Sequence, residues 1–272
     1  MLDYDKEAER YDASRGGEPR AAAAAEAVLS LVPQDARGLL DVACGTGIVT
    51  RRLAAARAGL RVTGLDLSPA MTRRAAARLP GAVVRGDSRC LPFRDAVFDA
   101  VSSVWLLHLA GSAENVRTIV GECARVLRPG GVYVTTVDKG PSHNVGSDID
   151  VVLAERPPSP VPDTASAVEA CAAAHGLVPA GQARFRGVGQ GRSPRRTIAD
   201  LRRGWFMTLP PDGPLADLFA ARLAALPDQD RPRPDPVFTL RAFRKPPGPQ
   251  DPPPAAVARL AERYGDPGGR AS

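Results

Sequence analysis

Apolar positions follow two rhythms along the chain. Runs such as "GLLDVA" (38–43), "RVTGLDL" (61–67), "AVVRGD" (82–87), "FDAVSSVWLL" (98–107) and "GVYVTTVD" (131–138) are continuously or alternately apolar and end in turn residues, the pattern of buried strands. Between them "EPRAAAAAEAVLSLV", "IVTRRLAAARA", "PAMTRRAAARL" and "NVRTIVGECARVL" repeat apolar residues every three or four positions and predict helices. Strands separated by helices of this length require right-handed crossovers, so the pattern predicts an α/β doubly wound domain whose parallel sheet is covered on both faces. Further on, "SAVEACAAAHGL" reads as a helix and "VPAGQARFRGVG" as a strand. "SPRRTIADLRRGWFMTLP" and "GPLADLFAARLAAL" read as helices before a last strand, "VFTLRAFRK". One domain over residues 1–245 is expected, and the Pro- and Gly-dominated stretch 246–272 is expected to be a flexible tail.

Composition narrows the partners. The chain has 272 residues, 44% of them hydrophobic, enough to bury a full core. No window approaches the roughly 18 uninterrupted apolar residues of a membrane span, and the charged start lacks a signal-peptide core. A soluble cytoplasmic protein with no membrane partner is expected. The net charge of +6 raises the question of nucleic acid. The arginines are scattered, however, and aromatic residues, at 5%, are too few to interleave with them as a stacking platform. Cys44, Cys90, Cys123 and Cys171 are widely spaced and form no CxxC pair, so neither a disulfide framework nor a metal site is expected.

In doubly wound sheets ligands bind beyond the carboxyl ends of the strands. The residues there are Asp41 with Gly45 and Gly47, then Asp66, Asp87, Ser103 to His108, and Asp138. Asp66 follows the glycine turn by about 20 residues, the spacing of an acid that accepts from ribose hydroxyls. A dinucleotide fits poorly, because Thr50 stands where a third glycine is expected and Asp41 would repel a pyrophosphate. A phosphate-free nucleoside with a cationic end fits better. S-adenosyl-L-methionine is such a ligand: Asp41 faces its positive methionine end, Asp66 its ribose and Asp87 its adenine amino group, with Ser88 and Arg89 alongside.

Four stretches in order, "LLDVACGTG", "GLDLSPAM", "GDSRCLPFRDAVFDAVSS" and "ARVLRPGGVYVTT", resemble the successive motifs of class I S-adenosylmethionine-dependent methyltransferases. The likeness is to the small-molecule branch that includes the ubiquinone/menaquinone-type enzymes. It implies a Rossmann-like seven-stranded sheet of order 3-2-1-4-5-7-6 with strand 7 antiparallel. It also implies cofactor contacts from Asp41, Ala43, Gly45, Gly47, Asp66, Leu67, Asp87, Ser88 and Ser103. "EAERYDASRGG" resembles the family's lead-in over the cofactor, which brings Tyr11 and Arg15 toward the methionine end and makes residues 1–33 a helical cap. In the same family an insertion between strands 6 and 7 covers the acceptor, here residues 190–230.

Trp105, His108, Trp205, Phe206 and Met207 are then the expected acceptor lining. His108, at the mouth beyond the fourth strand, and His143, on a long loop, are the candidate bases for an acceptor that must lose a proton. The competing reading of His108 is a structural histidine at a helix start. The "[DN]PP[YF]" motif of enzymes acting on exocyclic amino groups of bases is absent; "SSVW" stands in its place. The expected function is methyl transfer to a small aromatic or apolar metabolite of bacterial secondary metabolism. The alternatives are an RNA methyltransferase using the basic surface and a cofactor-binding protein without chemistry. Whether the chain self-associates is not written in its sequence.

Overall fold

A computed structural model of the chain describes residues 3–157, 161–206 and 209–247. Seven strands form one sheet: β1 (Gly38–Val42), β2 (Arg61–Asp66), β3 (Val83–Arg85), β4 (Phe98–Ser103), β5 (Leu127–Val137), β6 (Val178–Arg186) and β7 (Val237–Arg244). Their order is β3-β2-β1-β4-β5-β7-β6. The first five pair in parallel, and β7 runs antiparallel between β5 and β6, as the family resemblance implies.

Ten α-helices accompany the strands among the described residues: α1 (Tyr4–Glu7), α2 (Tyr11–Ser14), α3 (Gly17–Leu29), α4 (Ile48–Ala56), α5 (Pro69–Arg78), α6 (Ala113–Val126), α7 (Asp148–Ala154), α8 (Ala165–Ala174), α9 (Pro194–Arg202) and α10 (Pro214–Ala224). The strand period of two divides the core. Leu39 faces a layer built by α3 and α4, where Ala21, Ala24 and Ala25 let α3 lie close to the sheet. Leu40 and Val42 face the opposite layer, made by Val116, Ile119, Val120 and Cys123 of α6 with Val168 and Ala172 of α8. Truncating a fully buried residue such as Leu40 to Ala is expected to cost about 2–5 kcal/mol.

Helices α7, α9 and α10 have a small core of their own, with Ile149, Leu153, Leu201, Phe219 and Leu223 buried together. This cap is where the structure departs most from the sequence expectation. Helix α7 lies in a stretch read as a loop, and a reciprocal Ser147–Asp150 capping box starts it. The helix read over 193–210 stops at Arg202, because Gly204 takes φ +74°. Trp205 and Phe206 therefore follow α9 instead of lying on it. Met207 and residues 248–272 lie outside the described residues.

Candidate active site

The strand order reverses between β1 and β4, the place where doubly wound sheets open a crevice. A cavity of about 690 Å³ lies there, walled by Ala43, Gly45, Asp66, Leu67, Asp87, Ser88, Trp105 and Leu106, with Tyr4 and Tyr11 on the N-terminal side. Three non-glycine residues with positive φ mark the carboxyl ends of the central strands: Ala43 (+59°) after β1, Trp105 (+59°) after β4 and Asp138 (+51°) after β5. Left-handed backbone at such residues costs energy and persists where the surroundings fix it, as at binding sites.

Asp66 is anchored by the turn it serves. Its Oδ2 accepts from the Gly45 amide (2.8 Å) and its Oδ1 from the Ser68 amide (2.9 Å). Burial raises its pKa against the pull of these amides. Gly45 (φ +57°) would meet no atom within 4 Å if it carried a Cβ. Gly47 is glycine for another reason: its φ is +75°, and an added Cβ would come within 2.9 Å of Ala75, so it lets α4 start against α5.

Asp41 is 3% exposed and does not line the cavity. Its carboxylate accepts from the Thr50 hydroxyl (2.6 Å) and the Ser102 hydroxyl (2.8 Å) behind the glycine turn, and burial pushes its pKa up to about 6. Any influence of Asp41 on a ligand is therefore exerted through the turn. Asp87 lies on the cavity wall with its carboxylate held by the Arg89 guanidinium (2.6 Å), which lowers its pKa. Leu67 is 59% exposed on the wall beside Asp66. Ser103 corrects the sequence expectation. It is buried within the sheet, its hydroxyl shared with the Tyr133 hydroxyl (2.7 Å) and Thr135 (2.9 Å), because the strand period turns it away from the cavity.

The N-terminal segment closes one side. Asp5 accepts from the Ser68 hydroxyl (2.6 Å) and the Ala70 amide (2.9 Å) at the start of α5, and Asp12 accepts from Thr46 (2.6 Å) and Arg78 (2.6 Å). These bonds hold Tyr11 at the cavity wall. Arg15 is outside that wall, with its guanidinium stacked 3.3 Å above the Trp205 ring. The Arg196 side chain of α9 donates to the Ser14 carbonyl, so the cap and the N-terminal segment are latched together.

Beyond the ends of β4 and β5 the chemistry changes. Trp105 packs edge-on against Phe185 and Phe238 at 5.6 Å each, with the Arg20 guanidinium 4.3 Å from the centroid of its ring. His108 belongs to a single 3₁₀ turn (Leu107–Leu109), and its Nδ1 is buried without a partner among the described residues. His143 packs edge-on against Phe238 at 5.4 Å. Burial, reinforced by the nearby Lys139 charge, lowers the pKa of both imidazoles well below 6.5 and keeps them neutral at pH 7. Phe206 is buried in the cap core, flanked by the Arg156 and Arg192 guanidinium groups at 5.1 and 5.6 Å.

Sequence reading missed Lys139, Arg20 and Arg192. Burial, then the charges of Arg15 and Arg192, bring the Lys139 pKa down to about 7. A signal existed: Lys139 is one of the chain's few lysines and follows the strand-end residue Asp138.

Residues 40–135 match the family model described as a methyltransferase domain. A demethylmenaquinone methyltransferase of Tropheryma whipplei is 40% identical over 99 residues, covering 35% of this chain and 39% of that protein. A malonyl-acyl-carrier-protein O-methyltransferase of Herminiimonas arsenicoxydans is 32% identical over 174 residues, 64% of each chain. The chain thus spans less than two thirds of the length of these curated relatives. In fold it is similar to a Haloferax volcanii methyltransferase solved with the Trm112 activator (TM-score 0.57, 18% identity, covering 90% of this chain and 99% of that one). It is also similar to the cyclase SpnF (TM-score 0.56, 21% identity, covering 90% and 94%).

The match over residues 40–135, with the sheet order and the cavity at its switch point, identifies a methyltransferase domain in this part of the chain. The residues present fit S-adenosylmethionine: Asp66 is anchored beside the glycine turn, where it can accept from ribose hydroxyls, and the turn is open toward the cavity. Among the described residues no helix is long and apolar enough to cross a membrane, and no cluster of ligating side chains could hold a metal ion.

Proposed function

We propose that this chain moves the methyl group of S-adenosylmethionine onto a small aromatic or apolar metabolite held between the ends of β4 and β5 and the helical cap. One observation carries the reading. Asp41 and Asp66 lie at the glycine turn with raised pKa values, and among the described residues neither has a cation within 4.0 Å. The turn is therefore left with uncompensated negative charge, which a sulfonium and an ammonium would neutralise.

When bound, the cofactor supplies an electrophilic methyl on a positive sulfur. Asp66 orients the ribose, with Asp87 and Ser88 at the adenine side, and Tyr11 closes over the methionine end. Trp105 and the cap exclude water and align the acceptor with the methyl for in-line displacement. The cofactor would supply the methyl group and keep the bonding electrons on its sulfur as a neutral thioether. If the acceptor loses a proton, the neutral His108 Nδ1 is available to take it, and His143 is the second candidate. Relatives named for demethylmenaquinone and for a malonyl-carrier protein support a metabolite acceptor.

The test is label transfer from methyl-labelled cofactor into a fractionated pool of small metabolites, compared with bulk RNA. Label in a small product that disappears in Asp66→Ala supports the reading. Label in RNA that falls steeply with salt would replace it with the RNA alternative. Tight cofactor binding without transfer to any acceptor would favour a protein that keeps the fold for another purpose. In a productive enzyme, His108→Gln is expected to lower turnover about 100-fold or more if His108 is the base, with cofactor affinity unchanged.

A further inference from the structure

The cap side of the site contains positive charge that, among the described residues, no carboxylate within 4.0 Å balances. Arg15 is stacked on Trp205 and Arg156 and Arg192 flank Phe206 of the cap, Arg20 lies over Trp105, and Lys139 follows the end of β5 within reach of the Arg15, Arg192 and Arg20 charges. Among the described residues none has a carboxylate within 4.0 Å, whereas the arginines of the outer surface are frequently ion-paired. Arg20 is only 4% exposed. The carboxylates whose charge reaches the group are mostly committed elsewhere: Asp200 pairs with Arg203, and Asp150 caps α7. Asp163, beside Lys139, accepts from the Lys139 amide through Oδ2, and its charge only partly opposes the fall of the Lys139 pKa.

Enclosing unpaired cations is expensive, and proteins keep such an arrangement where a ligand supplies the missing charge. The geometry indicates where that ligand goes. The Arg15 and Arg20 guanidinium groups are stacked on Trp205 and Trp105, which fixes their planes. Their Nε atoms, and the Trp205 Nε1, are buried without partners among the described residues. Lys139 follows the end of β5, next to the strand whose end carries His108. The cofactor's own carboxylate can be met by Arg20, which lies behind Tyr11 and Trp105, the two rings of the cavity wall that it stacks on. It leaves Lys139, Arg156 and Arg192 unanswered, since these belong to the cap side.

We infer that the acceptor is an oxyanion, a small molecule whose carboxylate or phosphate group is held by Lys139 and Arg192 beneath the cap while its reactive end points to the strand mouth. The inference rests on the methyltransferase reading only in calling the ligand an acceptor; the anion site stands on the uncompensated cations.

The experiment uses the full chain saturated with S-adenosylhomocysteine and three probes of one shape: benzoate, phenyl phosphate and benzyl alcohol. Calorimetry and the fluorescence of the two tryptophans, both stacked under these guanidinium groups, report binding. At least one anion should bind ten-fold or more tightly than benzyl alcohol, and the better anion identifies the head group. Lys139→Met and Arg192→Gln should each abolish that preference while leaving S-adenosylhomocysteine affinity within two-fold. Lys139→Met should also melt higher than the parent when no anion is present, since it removes a repelled charge. Equal binding of the neutral probe overturns the inference, as does an anion preference that survives both substitutions. An RNA oligonucleotide that displaces phenyl phosphate at lower concentration than phenyl phosphate itself requires would overturn the small-molecule assignment. If S-adenosylhomocysteine fails to bind while the anions do, the methyltransferase reading falls and the anion site remains.

Discussion

The two halves of the site have opposite charge imbalances. On the cofactor side, Asp41 and Asp66 crowd negative charge at a glycine turn; on the cap side, Lys139, Arg15 and Arg192 are close enough to lower one another's pKa values. In each half the titrating groups are pushed toward their neutral forms by burial and by like charge. Each half is thus incomplete in the opposite sense, and the boundary between them is the ring of Trp105 at the end of β4. A cationic cofactor and an anionic acceptor would complete both and would attract each other across that boundary.

The largest expected effect comes from Asp66, whose carboxylate both shapes the turn and faces the ligand. In the proposed cofactor pose Asp66→Ala would remove two charge-assisted bonds to ribose hydroxyls, each worth about 1.5–3 kcal/mol. It also frees the Gly45 amide. Cofactor affinity, measured by calorimetry with S-adenosylhomocysteine, should fall on the order of 100-fold or more, with the circular dichroism spectrum retained. The anion preference of the cap side should survive, because no cap cation depends on Asp66. Joint loss of both would mean that the two halves are not separable.

How much of this comparison could be read from the sequence follows the same division. The strands and their carboxyl-end acids were legible because buried parallel strands are continuous apolar runs, and each ends where a turn residue interrupts it. Asp41, Gly45, Asp66 and Asp87 could be placed for that reason. The side-chain direction of Ser103 could not, since a shift of one residue in a period of two turns a hydroxyl from the cavity into the sheet. The cap was the least legible region. Helix α7 is a single short element fixed by a capping box, and the burial of Lys139 and Arg192 depends on contacts between segments far apart in the chain. A scattered arginine in the sequence gives no sign of whether its partner is solvent, a carboxylate or, as for Arg15, the face of Trp205.

Asp41 gives the second effect, and its sign is that of a buried acid without a cation, opposite to that of an ion-paired one. Its pKa is about 6 in the folded chain and 3.8 as a free side chain, so the folded state holds the proton more tightly. Between those values stability declines as pH rises, and above about pH 6 the full penalty is present, roughly 3 kcal/mol for two pKa units. Asp41→Asn should therefore raise the melting temperature at pH 7.5 and leave it nearly unchanged at pH 4, with the amide bonded to the Thr50 and Ser102 hydroxyls. The same substitution should weaken S-adenosylmethionine about ten-fold more than S-adenosylhomocysteine, which has no positive sulfur. Equal weakening of both would show that Asp41 only supports the turn and that the negative half of the comparison belongs to Asp66 alone.

The smallest effect concerns the seam. The Arg196 guanidinium on α9 donates to the Ser14 carbonyl, so the segment that closes the cofactor cavity is tied to the cap that covers the acceptor. One partly buried bond to a charged donor contributes about 1.5–3 kcal/mol when geometry is good, and less where water competes. Arg196→Ala should then lower global stability by no more than about 1–2 kcal/mol while raising amide exchange selectively in residues 3–16. The Asp5 and Asp12 anchors remain in that variant, so the segment should loosen without leaving the sheet. If the two halves fill independently, cofactor affinity should change little and saturation with an anion should not slow exchange in residues 3–16. If anion binding slows exchange there in the parent but not in Arg196→Ala, the latch couples the halves, and filling the positive one helps close the negative one.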